Sequence, residues 1–333
     1  MGLKVGIVGV GHMGKVHAQM LTKDERVTLT GIVDIRKEVR EALAAEFKTK
    51  AFASLDDLVG EGVDAIYITT PNTTHTELTL QVLKENIHIF CEKPMATGFQ
   101  DAKRISKLLE SKNIVYQVGH NRRFAPVYKF AKGLIQNGKF LPYSACVKMN
   151  RGELRNPPWV SDPNITGGFL YESTIHLLDM VRWLLGDVKK VECIGQKSVY
   201  NEIDDFALLL TFTSGRIATF FSSAHASWIF PFERIELFGE HSAIITEEME
   251  KVTFSSGLEG EIIMRDYSQY PELVKWGYVE EDRLFIDAVL KEGRPAVSAW
   301  DGYKSVELVE ACYRCIEKEQ GIGLPLYTNY AEE

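Results

Sequence analysis

Short apolar runs rich in Val and Ile recur through the first third of the chain. Each is followed by a stretch whose apolar positions fall at helical spacing. Residues 4–8, 27–33, 65–69, 88–91 and 114–118 read as strands, and 15–21, 36–47, 74–84 and 99–111 read as helices. Strands alternating with helices predict a parallel sheet with right-handed crossovers. Ligands of such sheets bind beyond the carboxyl ends of the strands, so the segments just after each strand are the ones to inspect.

The pattern changes after residue 122. Residues 142–149 read as a strand, and 151–159, with their Gly and Pro, as a loop. Four or five β-rich runs follow, at 190–196, 206–212, 216–222, 234–238 and 243–246, separated by turn signals that suit an antiparallel meander. Their alternation is incomplete, which predicts cover on both faces for part of that sheet. Residues 280–290 and 302–317 read as closing helices, and 327–333 as a polar tail. The expected fold class is α/β, with one domain at 1–122 and an α+β domain at 123–333.

The chain has 333 residues with a formal net charge of −8, 45% hydrophobic and 25% charged residues. That is ordinary globular composition and excludes a disordered or disulfide-stapled chain. The acidic balance argues against nucleic acid and anionic membranes as partners. No apolar stretch is long enough to span a bilayer, and residues 1–5 lead directly into a strand, so a cytoplasmic protein is expected. The five cysteines show no zinc-ligand spacing, and no metal site is expected. Cys312 and Cys315 form a lone C-x-x-C at helical spacing and read as two positions on a helix.

Candidate chemistry begins at Gly9, Gly11 and Gly14, a G-x-G-x-x-G that follows a strand and opens a helix, with His12 and Met13 inside it. These glycines permit a tight turn, close approach to a pyrophosphate and close helix–strand packing, and the helix N-terminus favours the phosphates. Asp34 ends the second strand, where a carboxylate binds ribose hydroxyls. It favours NAD and would repel a 2′-phosphate, whereas Arg36 would accept one, so NADP is the alternative cofactor. The first domain therefore reads as a Rossmann dinucleotide-binding domain. Three further segments follow strands: Thr70, Pro71 and Asn72 with His75; Glu92, Lys93 and Pro94; and Gly119 to Pro126, which holds Asn121 and Arg123.

In order along the chain, the G-x-G-x-x-G, T-P-N-x-x-H, E-K-P and G-H-N-x-R-F segments, with the G-G-x-x-x-E-x-x-x-H-x-x-D run from Gly167 to Asp179, resemble the Gfo/Idh/MocA family of nicotinamide-dependent oxidoreductases. The resemblance covers nearly the whole chain. It implies a substrate-binding second domain with an open, mostly antiparallel sheet whose outer face carries oligomer contacts, and hence a homodimer or homotetramer. It implies substrates that are sugars, polyols, sugar phosphates or nucleotide sugars, with the lysine of E-K-P and the late histidine flanking the reacting carbon. Glu172 stands where the family most often has Asp, which keeps the charge and adds a methylene.

Oxidising a secondary alcohol requires a base within hydrogen-bond reach of the hydroxyl. His176 is the first candidate, four residues after Glu172 and three before Asp179 on one helical face. Lys93 is the second, as a cation able to stabilise a developing alkoxide. Thr70, Pro71, Asn72, His75, Glu92 and Lys93 are assigned to the cofactor. Asn121, Arg123, Arg151, Trp159, Tyr171, Glu172 and His176 are assigned to substrate, with Arg155 a further loop cation. His17 and His225 read as packing residues. Two rival functions remain open: an NAD-dependent glycosidase that oxidises its substrate transiently, and a non-catalytic dinucleotide-binding regulator.

Overall fold

The structure, a computed structural model, describes residues 2–228 and 232–326. The polar tail read at 327–333 lies outside the described residues. From the N-terminus the elements are β1 (Leu3–Val8), α1 (His12–Leu21), β2 (Val27–Val33), α2 (Lys37–Phe47), β3 (Lys50–Phe52), α3 (Leu55–Val59), β4 (Ala65–Ile68), α4 (His75–Lys84), β5 (His88–Glu92), α5 (Phe99–Leu109) and β6 (Tyr116–Gly119). Then come α6 (Pro126–Gln136), β7 (Ser144–Asn150), α7 (Pro163–Thr166), a π-helical turn at Leu170–Thr174 and α8 (Ile175–Leu185). Strands β8 (Val188–Gln196), β9 (Asp205–Phe212), β10 (Ile217–Ser223), β11 (Glu233–Gly239), β12 (Ser242–Glu247), β13 (Lys251–Ser256) and β14 (Ile262–Asp266) follow. The chain continues through α9 (Glu272–Lys275), α10 (Tyr278–Leu290), α11 (Ala299–Lys318) and β15 (Ile322–Gly323).

Two compact units emerge. The first holds the chain up to His120 together with Tyr278–Tyr303, and the second holds Asn121–Gly277 and the chain from Lys304. By compactness α10 groups with the first unit. Its apolar face supplies Phe285, Ile286 and Val289 to that unit's core, a long-range return that local spacing does not reveal.

The first unit is a six-stranded parallel sheet in the order β3-β2-β1-β4-β5-β6. All four β4 residues are buried, as expected for a parallel strand covered on both faces. Tyr67 stacks on Phe90 with centroids 4.6 Å apart and meets Phe285 edge-on. The order reverses between β1 and β4, and the loops after both strands therefore meet at the switch point of the sheet. β3, three residues long at the sheet edge, carries too little pattern to be read from sequence.

The second unit contains a nine-stranded sheet in the order β14-β13-β12-β11-β7-β10-β9-β8-β15, parallel between β7 and β10 and antiparallel elsewhere. Phe206, Leu208, Leu210 and Phe212 of β9 point into the core, while Ala207, Leu209 and Thr211 face solvent. Cover on both faces is therefore not found at β9 and β10. The pattern looked incomplete partly because the β8–β9 register shifts between Val188 and Lys190, which leaves two consecutive lysines, Lys189 and Lys190, facing out.

Candidate functional site

In the first unit the loop after β1 is built around close backbone approaches. Gly9 has φ +87° and its amide donates to the Val33 carbonyl at 2.8 Å. A Cβ on Gly14 would lie 2.1 Å from the Gly9 carbonyl oxygen, so α1 packs against the loop only with glycine there. Gly11, at the N-cap, faces open space and gives α1 no side-chain cap. The first turn of α1 carries no acidic residue, leaving a positive helix end suited to an anion. His12 is exposed and Met13 half-buried at this end.

Asp34 follows β2 and is buried. Its carboxylate accepts from the Val10 amide at 3.0 Å, and from the Arg36 amide, Nε and Nη2, each at 2.9 Å. Burial opposes its charge, but the Arg36 guanidinium and the two amides outweigh it and hold the carboxyl below its ordinary range. Sequence spacing placed Arg36 as a rival phosphate ligand. In the structure it is engaged by Asp34.

The loop after β4 adjoins the glycine loop: the Thr69 hydroxyl donates to the Gly9 carbonyl, and Thr70 Oγ1 meets Thr74 Oγ1 at 2.6 Å. Pro71 is exposed, and Asn72 opens a short 3₁₀ turn with its side chain buried. His75, expected at the cofactor, lies between two backbone carbonyls. It is fully buried, with Nδ1 2.7 Å from the Pro94 carbonyl oxygen and Nε2 2.9 Å from that of Thr70. Both ring nitrogens must carry protons to satisfy both carbonyls. Although burial opposes the charge, Cys91 and the two carbonyls raise the pKa to about 9. His75 thus ties the β4 loop to the Lys93–Pro94 segment.

Lys93 stands half-buried just past β5, before a cis peptide to Pro94. Its amide donates to Glu92 Oε2 at 3.1 Å. Glu92, also expected at the cofactor, makes two contacts within the first unit. Its carboxylate is turned inward, buried, and its other oxygen lies 3.2 Å from His17 Nε2.

In the second unit three candidates come together. Arg151 follows β7 and is strapped by backbone bonds to Ser223 and Ala226. Its Nη1 donates to Ser173 Oγ at 3.1 Å and lies 3.8 Å from Glu172 Oε1. Glu172 sits in the π-helical turn that runs into α8, a distortion common at functional sites. From Gly168 to Val181 every residue is buried except Glu172 and His176. A helix segment submerged on all other positions presents those two side chains.

Asp179, expected to share their face, is instead buried. Its carboxylate receives Arg123 Nε and Nη2, both at 2.7 Å, and the Ser305 hydroxyl at 2.9 Å. Arg123 thus forms a buried ion pair in the second unit. Asn121 is buried with its amide donating to the Trp276 carbonyl at 2.8 Å. Tyr171 points into the core and stacks on Tyr313, and burial pushes its phenol well above the ordinary range. Trp159 is partly exposed on a 3₁₀ turn (Pro158–Ser161), and Arg155 is exposed. Cys312 and Cys315 are buried in α11 as free thiols, and the Cys193 amide donates to Cys315 Sγ.

Two groups were missed. Asp204, Asp205 and His225 bring ligand atoms within 4.8 Å of one another, but Asp204 spends both oxygens on the amides of Ser198, Val199 and Tyr200. Glu202 accepts from the Phe169 amide at 2.8 Å, at the start of the helix that bears Glu172. The Glu202–Phe169 and Asp205–His225 contacts join residues 33 and 20 positions apart, which local spacing does not mark.

Residues 3–120 match a family model described as "Oxidoreductase family, NAD-binding Rossmann fold", and residues 132–324 match its companion, "Oxidoreductase family, C-terminal alpha/beta domain". The chain belongs to the Gfo/Idh/MocA family. It is an NAD-binding oxidoreductase. Among Gfo/Idh/MocA relatives it is 28% identical over 335 residues to myo-inositol 2-dehydrogenase of Thermotoga maritima, covering 97% of this chain and 98% of that protein. It is 27% identical over 344 residues to inositol 2-dehydrogenase of Rhizobium meliloti, covering 97% and 100%. In structure it is similar to levoglucosan dehydrogenase in complex with NADH and levoglucosan, with TM-score 0.90, 19% identity, and 98% and 100% of the two chains covered. At that identity the likeness concerns the fold alone. Among the described residues no helix is long and apolar enough to cross a membrane.

Proposed function

We propose that this chain is a cytoplasmic NAD-dependent dehydrogenase that moves a hydride between the nicotinamide and a secondary alcohol or ketone of a sugar or polyol. Inositol-like compounds lead the substrate classes, ahead of sugar phosphates and nucleotide sugars. The end-to-end similarity to two inositol 2-dehydrogenases supports the class. The observation that carries the chemistry is the emergence of Glu172 and His176 alone from an otherwise buried helix segment.

The residues of the first unit fit a dinucleotide. The uncapped N-terminus of α1 and the open face at Gly11 suit a pyrophosphate, and Asp34 suits ribose hydroxyls. Bound NAD supplies the hydride acceptor. His176 takes the proton from the substrate hydroxyl, with Glu172 favouring the imidazolium. Lys93 donates to the substrate oxygen and stabilises negative charge developing there. Arg151 steadies Glu172 and offers a contact for a substrate oxygen or phosphate.

Homo-oligomer formation is proposed for the outer face of β8–β10. Ile194 and Phe221 both oppose Ala207, and Leu209 lies two residues along the same face, all three apolar side chains being exposed. A contiguous apolar sheet face of this kind commonly marks an interface. Light scattering of the wild type and of a Leu209→Lys, Phe221→Lys variant reads it, with a shift to monomer expected.

The test of function is the appearance of reduced nicotinamide by absorbance, with NAD or NADP and a panel of inositols, free sugars, sugar phosphates and nucleotide sugars. Signal with one polyol or sugar class is expected, and faster with NAD. Absence of signal across the panel, in protein that binds NAD, contradicts the reading and returns the transient-oxidation glycosidase or the regulator.

A further inference from the structure

His17 lies at the centre of a buried ionic relay within the first unit. Its Nδ1 is 2.9 and 3.0 Å from the two Asp282 oxygens, and its Nε2 is 3.2 Å from Glu92 Oε1. The ring is completely buried, with Phe90, Tyr67 and Tyr278 around it at centroid distances of 4.9, 5.2 and 6.4 Å. The other oxygen of Glu92 accepts the Lys93 amide. One continuous path therefore runs from α10 through α1 to the backbone of Lys93.

We propose that His17, clamped between Asp282 and Glu92, is a positioning residue that fixes the backbone of Lys93 for proton transfer. The proposal rests on the reading of Lys93 given above. Its logic is geometric. Lys93 precedes a proline, whose nitrogen carries no hydrogen, so the segment has one fewer backbone donor with which to be held. The Lys93 amide is held by a side chain, and that side chain is itself held by His17.

Charge supports the arrangement. Burial opposes protonation of His17, but Asp282 and Glu92 outweigh it and raise the pKa to about 10. Both ring nitrogens then donate at neutral pH. The neighbouring Glu281 is buried, and neither of its oxygens has a hydrogen-bond partner among the described residues. Burial and the nearby Glu92 push its carboxyl well above the ordinary range, which disfavours a competing charge beside His17.

The test uses full-length wild type, His17→Phe, Asp282→Asn and Asp282→Leu. Residue-resolved amide hydrogen exchange reads the Lys93 amide directly. In His17→Phe that amide is expected to exchange at least about tenfold faster, while the β1 amides stay within about twofold and NAD affinity within about threefold. Asp282→Asn keeps an acceptor for Nδ1–H and is expected to retain most of the protection, whereas Asp282→Leu loses it. Should His17→Phe fail to fold, the two Asp282 variants decide. On myo-inositol, kcat should fall at least about tenfold in His17→Phe with KM for NAD little changed. Unchanged Lys93 exchange, or equal acceleration at β1, overturns the proposal. If Lys93→Ala retains full turnover while the exchange result holds, the catalytic reading of Lys93 has failed and the clamp has not.

Discussion

Replacing Asp34 by Asn is expected to shift the cofactor preference of this enzyme toward NADP. The carboxylate does three things at once. It accepts the Val10 amide, it pins Arg36 through two guanidinium bonds, and it presents negative charge where the adenosine ribose is expected. Asn retains an oxygen for the Val10 amide and removes the charge. Hydrogen bonds to a charged group contribute about 1.5–3 kcal/mol each, so loss of one charged ribose contact corresponds to roughly 10–150-fold in NAD affinity. NADP loses no such contact and gains a released Arg36, whose guanidinium suits a phosphate. Asp34→Ala serves as the control, since it also strips the Val10 partner and should weaken both cofactors through the loop. Calorimetric Kd values for NAD and NADP on the three proteins test this. The NADP-to-NAD affinity ratio is expected to rise at least about tenfold in Asp34→Asn. Equal loss for both cofactors would refute Asp34 as the selector.

Further expectations concern turnover and stability. Lys93→Ala and His176→Ala should each lower turnover at least about a hundredfold in the nicotinamide assay while NAD affinity stays within a few-fold, as expected for proton-transfer groups. Arg123→Ala should cost about 3–5 kcal/mol in urea unfolding, because it leaves the buried Asp179 carboxylate without its bidentate partner. Glu202→Gln should change the pH dependence of stability. Burial, with Asp204, Glu172 and Asp162 nearby, raises the Glu202 carboxyl from 4.5 to about 7 against the pull of the Phe169 amide. A raised folded pKa means stability present below the unfolded value and lost as pH rises through about 7. The uncharged amide of the Glu202→Gln variant escapes that loss, so the variant's urea midpoint should exceed wild type at about pH 8 and approach it at about pH 4.5.

What was legible in the sequence is local. Gly9, Gly11, Gly14 and Asp34 announce themselves because strand, turn, helix and acid follow one another within a single βαβ unit. Lys93 is proposed because it follows a strand, and Glu172 and His176 because their run matches the family segment from Gly167 to Asp179. What is not legible is long-range. Arg123 meets a carboxylate 56 residues away, Asn121 a carbonyl 155 residues away, and His17 partners 75 and 265 residues away. Local spacing marks such residues as polar and near a strand end, which is also how ligand-binding residues look. The structure adds their burial: Arg123, Asn121 and His75 are inside, whereas Glu172 and His176 are half-buried. Asp179 was misjudged for the same reason, since it shares the helical spacing of His176 yet is spent on Arg123 and Ser305.

The central claim is net hydride transfer from a polyol carbon to NAD. Incubating the protein with NAD and myo-inositol deuterated at every ring carbon, then weighing the nicotinamide product by mass spectrometry, tests it directly. The account predicts reduced nucleotide one mass unit heavier than ordinary NADH, formed with wild type and suppressed in His176→Ala. Reduced nucleotide without the label, or none at all from protein saturated with NAD and from any polyol or sugar so deuterated, would contradict it.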